Sequence, residues 1–275
     1  MLRKTSCKMS ICICYDVLIC KLYTLWWCMA LFLKHFGITD IGRVRSINQD
    51  CWQALPEDGL FAVADGMGGR FGGEVASYEA MKALVEFFKK RRRLFLKSNI
   101  RRHEEYLSSI LSRVNGCVYG KGLSNSSLKG MGTTLCTLHL CYDRAVVAHV
   151  GDSRVYCYRE GSLYRLTEDH SLLTKMMNKG MISPESIEKS PYKHILTHAI
   201  GTKPNVPIEV NSFSIKKGDL FLLCSDGLTN FVSDSNIENH LSGKTSLEIC
   251  AKKLIEAANN QGGGDNITTL LVEVG

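Results

Sequence analysis

Four aspartates stand where apolar runs break off beside glycine or a small polar residue. Phe61 to Ala64 ends in Asp65-Gly66-Met67-Gly68-Gly69, and Ala145 to Val150 ends in Gly151-Asp152-Ser153. Leu220 to Ser225 ends in Asp226-Gly227, and Gly262-Gly263-Gly264 presents Asp265-Asn266 ahead of the run Ile267 to Val274. A β-rich run closed by a breaker reads as a buried strand delivering an acid to its end, and glycine there lets backbone approach a ligand closely. A single Asp-Gly is commonly a hairpin turn. Four such strand boundaries in one chain point to convergence. Two carboxylates about 4 Å apart repel by roughly 4 kcal/mol at an effective dielectric of 20, so a site built from them calls for cations. Oxygen-only ligands with no His or Cys cluster alongside favour Mg²⁺ or Mn²⁺ over Zn²⁺.

Six blocks in fixed order carry a resemblance. They are Arg45-Ser46-Ile47-Asn48-Gln49-Asp50, Ala64-Asp65-Gly66-Met67-Gly68-Gly69, Gly130-Met131-Gly132-Thr133-Thr134, Gly151-Asp152-Ser153-Arg154, Cys224-Ser225-Asp226-Gly227 and Gly264-Asp265-Asn266. From about Phe36 to the C-terminus the chain resembles the protein phosphatase 2C family, above all its compact bacterial Ser/Thr phosphatases. The resemblance implies an α+β fold, a four-layer α-β-β-α sandwich of two antiparallel sheets flanked by helices. It implies a metal-dependent protein serine/threonine phosphatase that hydrolyses phosphoserine and phosphothreonine with a water bridged by two metal ions. Asp65 would bridge two Mn²⁺ or Mg²⁺ ions, the Gly66 carbonyl would complete one, and Asp226 with Asp265 would hold the other. Asp50 and Gln49 would act through waters, and Asp152 would help Asp226 hold a third, weaker ion. Arg45, Asp65 and Asp226 form the implied catalytic group. Paired cations lower the pKa of a water between them, and a guanidinium fork donates two parallel hydrogen bonds to a phosphoryl group.

The chain departs from the family pattern at two places. Eukaryotic relatives have a histidine where Met67 stands, and Met67 has no proton to give a leaving group. A metal-bound water or a flap histidine are the remaining donors. Bacterial relatives often have a serine where His194 falls, which bears on flap contacts to an extra metal. The implied partners are phosphorylated proteins, including a Ser/Thr kinase and its substrates, met by a monomer. Two rival readings remain. One is an inactive regulator of the same fold that binds phosphoproteins; it predicts a missing ligand acid, and none is missing. The other is an unrelated two-metal hydrolase such as a nuclease, supported only by Lys89-Lys90-Arg91-Arg92-Arg93, and cations near a helix C-terminus are favourable in any protein.

The elements that must position these residues follow from periodicity. Phe36 to Ala54 reads as two strands around Asp40-Ile41-Gly42-Arg43, with Arg45 at the start of the second and Gln49 and Asp50 along it. Helical spacing of Val75, Tyr78, Met81, Leu84, Val85 and Phe88 predicts a helix over 74–96, and Leu107, Ile110, Leu111, Val114 and Val118 predict a second. Gly130-Met131-Gly132 lacks the Lys and following helix of a phosphate loop, so close backbone packing is the better account. Strands follow at Met131 to Tyr142, Ala145 to Val150, Arg154 to Tyr158 and Leu163 to Leu166, with short turns that imply antiparallel pairing. A flap spanning about residues 171–207 carries short helices at Leu172 to Gly180 and Pro184 to Lys189, with His170, His194 and His198 in or near it. Strands at Ile208 to Ile215 and Leu220 to Ser225, an amphipathic helix at Ser246 to Ala258 and a last strand at Ile267 to Val274 complete the chain. About ten strands and two pairs of longer helices suit two packed antiparallel sheets with helices outside.

At 275 residues and 45% hydrophobic content, with no Pro- or Ser-rich linker, one catalytic domain over 36–275 is expected. The net charge of +7 is uneven: residues 1–36 hold five Lys and Arg against one acid. The small excess left to the body does not argue for a nucleic-acid partner. Of twelve cysteines, Cys7, Cys12, Cys14, Cys20 and Cys28 crowd the leader, and no CxxC pair occurs. Reduced core thiols and a cytoplasmic location are therefore expected, without a structural zinc of the usual spacing. Residues 1–35 leave three readings open. Val17 to Leu33 is apolar but contains Lys21, is near the lower length for a membrane span and lacks a clear signal-peptide cleavage site. A membrane anchor with a cytoplasmic catalytic domain, a signal segment, and a start codon placed too early (Leu33-Lys34-His35-Phe36 resembles the natural start of family members) each remain.

Overall fold

The computed structural model describes residues 33–95, 99–182, 192, 195–243 and 245–275. Within them, β-rich runs pair into two antiparallel sheets. The first orders β1 (Leu33–Asp40), β11 (Ile267–Val274), β10 (Leu220–Cys224), β7 (Arg154–Arg159) and β8 (Ser162–Arg165). The second orders β2 (Asp50–Leu55), β3 (Leu60–Met67), β5 (Leu135–Cys141), β6 (Arg144–Val150) and β9 (Glu209–Ser214), with β4 (Gly132–Thr133) against the end of β3. The strand that follows Gly130-Met131 is β4, paired through Gly132 to Met67, so no phosphate loop forms there. The sheets face one another, β10 and β11 lying against β2, β3 and β5.

Each outer face is covered by helices. α1 (Gly69–Phe95) and α2 (Ile100–Ser124) lie on the second sheet. On the first lie α5 (Asp234–Leu241) and α6 (Leu247–Asn260), entered through α4 (Asp226–Thr229) after β10. Ser233 and Ser246 cap α5 and α6 by accepting from the Asn236 and Ile249 amides. Tyr156, Leu222 and Leu271 of the first sheet, with Leu228, Ile237, Leu254 and Ile255 of its helices, form one continuous apolar layer. Four layers result, α-β-β-α. The described part of the segment after β8 holds a short helix, α3 (Leu172–Asn178), is closed on itself by the bridge Ser171↔Leu196 and is tied to β4 by the bridge Thr133↔Ile200. Among the described residues, no helix is long and apolar enough to cross a membrane.

Three local differences from the sequence pattern have physical causes. The α1 helix begins at Gly69, and its buried face is Ala76, Ser77, Ala80, Met81, Leu84 and Phe88, while Tyr78 is 60% exposed. Small residues let this helix press against β3, and Ser77 Oγ donates to the Gln49 carbonyl just ahead of β2 at 2.6 Å; a count of large apolar residues misses such a face. The 41–49 segment is a loop rather than the start of a strand. Its backbone is held by the Asn266 side chain, which donates to Ile41 O and Ile47 O (both 3.0 Å) and accepts from Gln49 N at 2.8 Å. Finally, α5 goes unread in the sequence because its eight residues bury only Ile237 and Leu241. By contrast, α2 buries Leu107, Ile110, Leu111, Val114 and Val118, as their spacing predicts. β1 begins at Leu33 and pairs along its whole length with β11. Residues 1–32, with the anchor and signal readings, the helix expected at Pro184 to Lys189, and His194 lie outside the described residues.

Candidate active site

Antiparallel register brings the acids to one end of the sandwich. Asp50 opens β2 and stands directly opposite Asp65 in β3, so both side chains project from the same face. Asp152 sits in the β6–β7 turn, Asp226 follows β10 and Asp265 precedes β11. A cavity of about 790 Å³ opens between them, lined by Asp65, Asp152, Asp226 and Asp265 together with Arg45 and Gly66. Asp50 lies behind it. Gln49 lines the cavity as well, so all eight residues given a role from the sequence share one locality, although Arg45 and Gln49 reach it from the 41–49 loop and not from β2.

Residues the sequence did not single out build this geometry. Asp50 Oδ2 accepts from Ser225 Oγ and Thr268 Oγ1, each at 2.7 Å, which ties β2 in the second sheet to β10 and β11 in the first. Its Oδ1 is buried without a hydrogen-bond partner. The backbone around Asp65 is fixed by Thr134: Asp65 N donates to Thr134 Oγ1 at 2.9 Å, and Thr134 N donates to Asp65 O at 2.8 Å. Asn230 Nδ2 donates to Asp226 Oδ2 at 2.9 Å, and Asp265 Oδ1 accepts from the Asn266 amide at 2.8 Å. At Gly66 a Cβ would lie 2.0 Å from Gly73 O and 2.7 Å from Gln49 O, so only glycine lets α1, the 41–49 loop and β3 meet there. Ser225 and Asn266 directly flank the acids in sequence; that adjacency was the one signal available for them.

Electrostatically the cluster is out of balance. Burial, above all, raises the Asp50 pKa from 3.8 to about 7; repulsion by Asp226 and Asp265 adds to it, and hydrogen bonds from Thr268 and Ser225 offset part of it. Asp65 is held well above the ordinary carboxylate range by burial and then by Asp50, Asp226, Asp152 and Asp265. Asp152 is raised likewise, by burial and then Asp226. The cationic side chain lining the cavity is Arg45, whose Nη2 pairs with Asp265 Oδ2 at 2.8 Å and which is half exposed. An all-oxygen donor set, crowded like charges and an unpartnered buried carboxylate oxygen together fit hard divalent cations.

The proton donors stand apart from this. Met67 lines the cavity, and no histidine does among the described residues. His170 faces the body instead: Gly151 N donates to its Nδ1 at 3.3 Å, its Nε2 lies 3.5 Å from Glu209 Oε2, and its ring stacks on His149 at 4.6 Å. His198 packs edge-on against His170 at 5.3 Å. His170 braces the β6–β7 turn that carries Asp152, and His198 packs behind it.

A family model described as protein phosphatase 2C matches residues 42–271. The chain belongs to the protein phosphatase 2C family. It is 39% identical over 238 residues to the serine/threonine phosphatase stp of Listeria welshimeri, covering 86% of this chain and 93% of that one. Among solved structures, the family's fold recurs in the Mycobacterium tuberculosis serine/threonine phosphatase PstP/Ppp, with a TM-score of 0.80 and 31% identity over 88% of this chain and 98% of that one. A structure of the catalytic domain of serine/threonine protein phosphatase PstP in complex with two manganese ions matches with a TM-score of 0.78 and 31% identity, covering 89% and 99%.

Proposed function

We propose that this chain hydrolyses phosphoserine and phosphothreonine in proteins, using divalent cations held by Asp65, Asp226 and Asp265. It is a serine/threonine phosphatase of the protein phosphatase 2C family. The observation that carries the metal reading is the convergence of four carboxylates on one cavity, with Asp50 buried behind them, against a single guanidinium. Asp65, the Gly66 carbonyl, Asp226 and Asp265 would hold two ions, Asp50 and Gln49 would act through waters, and Asp152 with Asp226 would hold a third, weaker one. When bound, the ions supply Lewis acidity, which makes a water nucleophilic at neutral pH and draws charge from phosphoryl oxygens.

The chain's own residues do the rest. Arg45 would clamp the phosphoryl group with the guanidinium face that Asp265 leaves available, and its ion pair keeps the fork aimed into the cavity before substrate arrives. Thr134 and Asn266 hold the carboxylate-bearing backbone in place, which lowers the reorganisation needed on binding. With Met67 unable to donate a proton, we assign the leaving alkoxide's proton to water in the cavity. Manganese stands ahead of magnesium here because the related PstP structure holds two manganese ions. The reading extends to a monomer acting on phosphoproteins in a reducing cytoplasm, including a Ser/Thr kinase and that kinase's substrates.

The test is phosphate release from a phosphothreonine peptide with Mn²⁺. Release is expected, and it should be lost with chelator and in Asp226→Asn. Peptide binding without release would favour a regulator instead, and cleavage of nucleic acid would contradict the reading.

A further inference from the structure

On the opposite face of the second sheet a different set of ligands comes together. Side chains alternate along β5, and Cys136 Sγ reaches toward Arg154 O in the facing sheet at 3.9 Å. His139 and Cys141, two residues apart, therefore project from the other face, under the helices. There Phe88 of α1 packs edge-on to His139 at 5.1 Å, and His103 of α2 stacks on His139 at 5.3 Å. One imidazole nitrogen from each histidine and the Cys141 sulfur lie within 4.8 Å of one another, and the three residues are 1%, 1% and 0% exposed.

We propose that His103, His139 and Cys141 form a buried zinc site that staples α2 to β5. A tetrahedral Zn²⁺ places nitrogen and sulfur ligands about 3.4–3.6 Å apart, so the three atoms need to close by about 1 Å to share an ion. Two imidazoles and a thiolate are a borderline-soft set, unlike the all-oxygen acids of the cavity, so the two sites select different metals. The His139 ring also hydrogen-bonds to the backbone of Asp58, the outer support that metal-ligating histidines usually have. Burial and the neighbouring His103 push the His139 pKa down to about 3, so the ring is neutral and able to ligate. Burial pushes the Cys141 thiol up to about 12, so zinc entry displaces its proton to solvent and the ion–thiolate bond replaces the S–H bond. The site is separate from the acids: His139 pairs with Leu60, and Asp65 lies five residues further along β3, about 17 Å away. No local spacing announces such a site, because its ligands come from a helix and from alternate positions of a strand.

Full-length protein produced in cobalt-supplemented minimal medium tests the assignment, Co²⁺ serving as a spectroscopic stand-in for zinc. A thiolate-to-cobalt charge-transfer band that corresponds to one Co²⁺ per chain, survives Asp226→Asn, is bleached by Zn²⁺ and is absent in Cys141→Ser is the expected result. The same protein made in zinc medium should retain one Zn²⁺ by elemental analysis. His103→Gln, checked for native circular dichroism and Mn²⁺-dependent phosphatase activity, should bind Zn²⁺ at least about 100-fold more weakly. Absence of a thiolate band in the wild type, a band that persists in Cys141→Ser, or unchanged zinc affinity in folded His103→Gln would overturn the proposal.

Discussion

Two charged clusters of this molecule are built to opposite rules. Around Arg154, charges balance: its guanidinium donates to both Asp169 oxygens (2.9 and 2.7 Å) and to Tyr156 OH (3.0 Å), Arg165 takes the same carboxylate at 2.9 Å, and Tyr156 OH donates to Asp234 at 2.9 Å. Two cations and two acids satisfy one another, Arg154 and Asp169 largely enclosed and Asp234 half exposed, and they tie β7 to α5. Around Asp65, five carboxylates meet one half-exposed guanidinium. The first cluster is complete as folded. The second stores repulsion that only added positive charge relieves, so it marks where a ligand belongs.

Breaking each cluster should therefore give different losses. The largest effect is expected from Asp65→Asn: phosphate release from a phosphothreonine peptide falls at least about 10³-fold, roughly 4 kcal/mol of transition-state stabilisation, while circular dichroism stays native. Asp169→Ala should instead unfold more readily by about 1–3 kcal/mol in urea titrations, with or without chelator, because it removes the carboxylate that two guanidiniums share and leaves Arg154 with Tyr156 OH and Arg165 with Thr167 O. An intermediate effect sharpens the contrast. Asp50 has a folded pKa of about 7 against an ordinary 3.8, so without metal the fold binds the extra proton, and stability falls as pH rises from about 4 through 7. Chelated Asp50→Asn should accordingly melt above chelated wild type at pH 8, and the gap should close as pH is lowered toward 4. The smallest effect is at the support: Thr268→Val removes one of two donors to Asp50 Oδ2 and should cost about 1–2 kcal/mol above pH 7, read by the same melts.

The strands and the acids at their ends were legible because both are local: an apolar run, a breaker and a carboxylate lie within nine residues, and β11 spans Ile267–Val274 as read. Tertiary substitutions were not. The loop carrying Arg45 reads as a strand because nothing near it reveals that Asn266, more than two hundred residues away, supplies its hydrogen bonds. Tyr78 fits a helical stripe in sequence yet points to solvent, because Ala76, Ser77 and Ala80 allow the closer packing against the sheet. Ser225 and Thr268 look like ordinary strand-end residues until the two sheets face each other and both reach Asp50. The pairing of His103 with β5 depends on how α2 is laid down and has no counterpart in local spacing.

Without cations, the repulsion within the Asp65 cluster weakens the fold. Thermal unfolding at pH 7.5 tests it directly, comparing chelated protein with protein in Mn²⁺ at about 100 times its dissociation constant. A gain of about 2.7 kcal/mol from a single site is expected, a rise of roughly 5–10 °C in the melting temperature, absent in Asp226→Asn. Equal melting temperatures with and without Mn²⁺, or the same rise in Asp226→Asn, would contradict it.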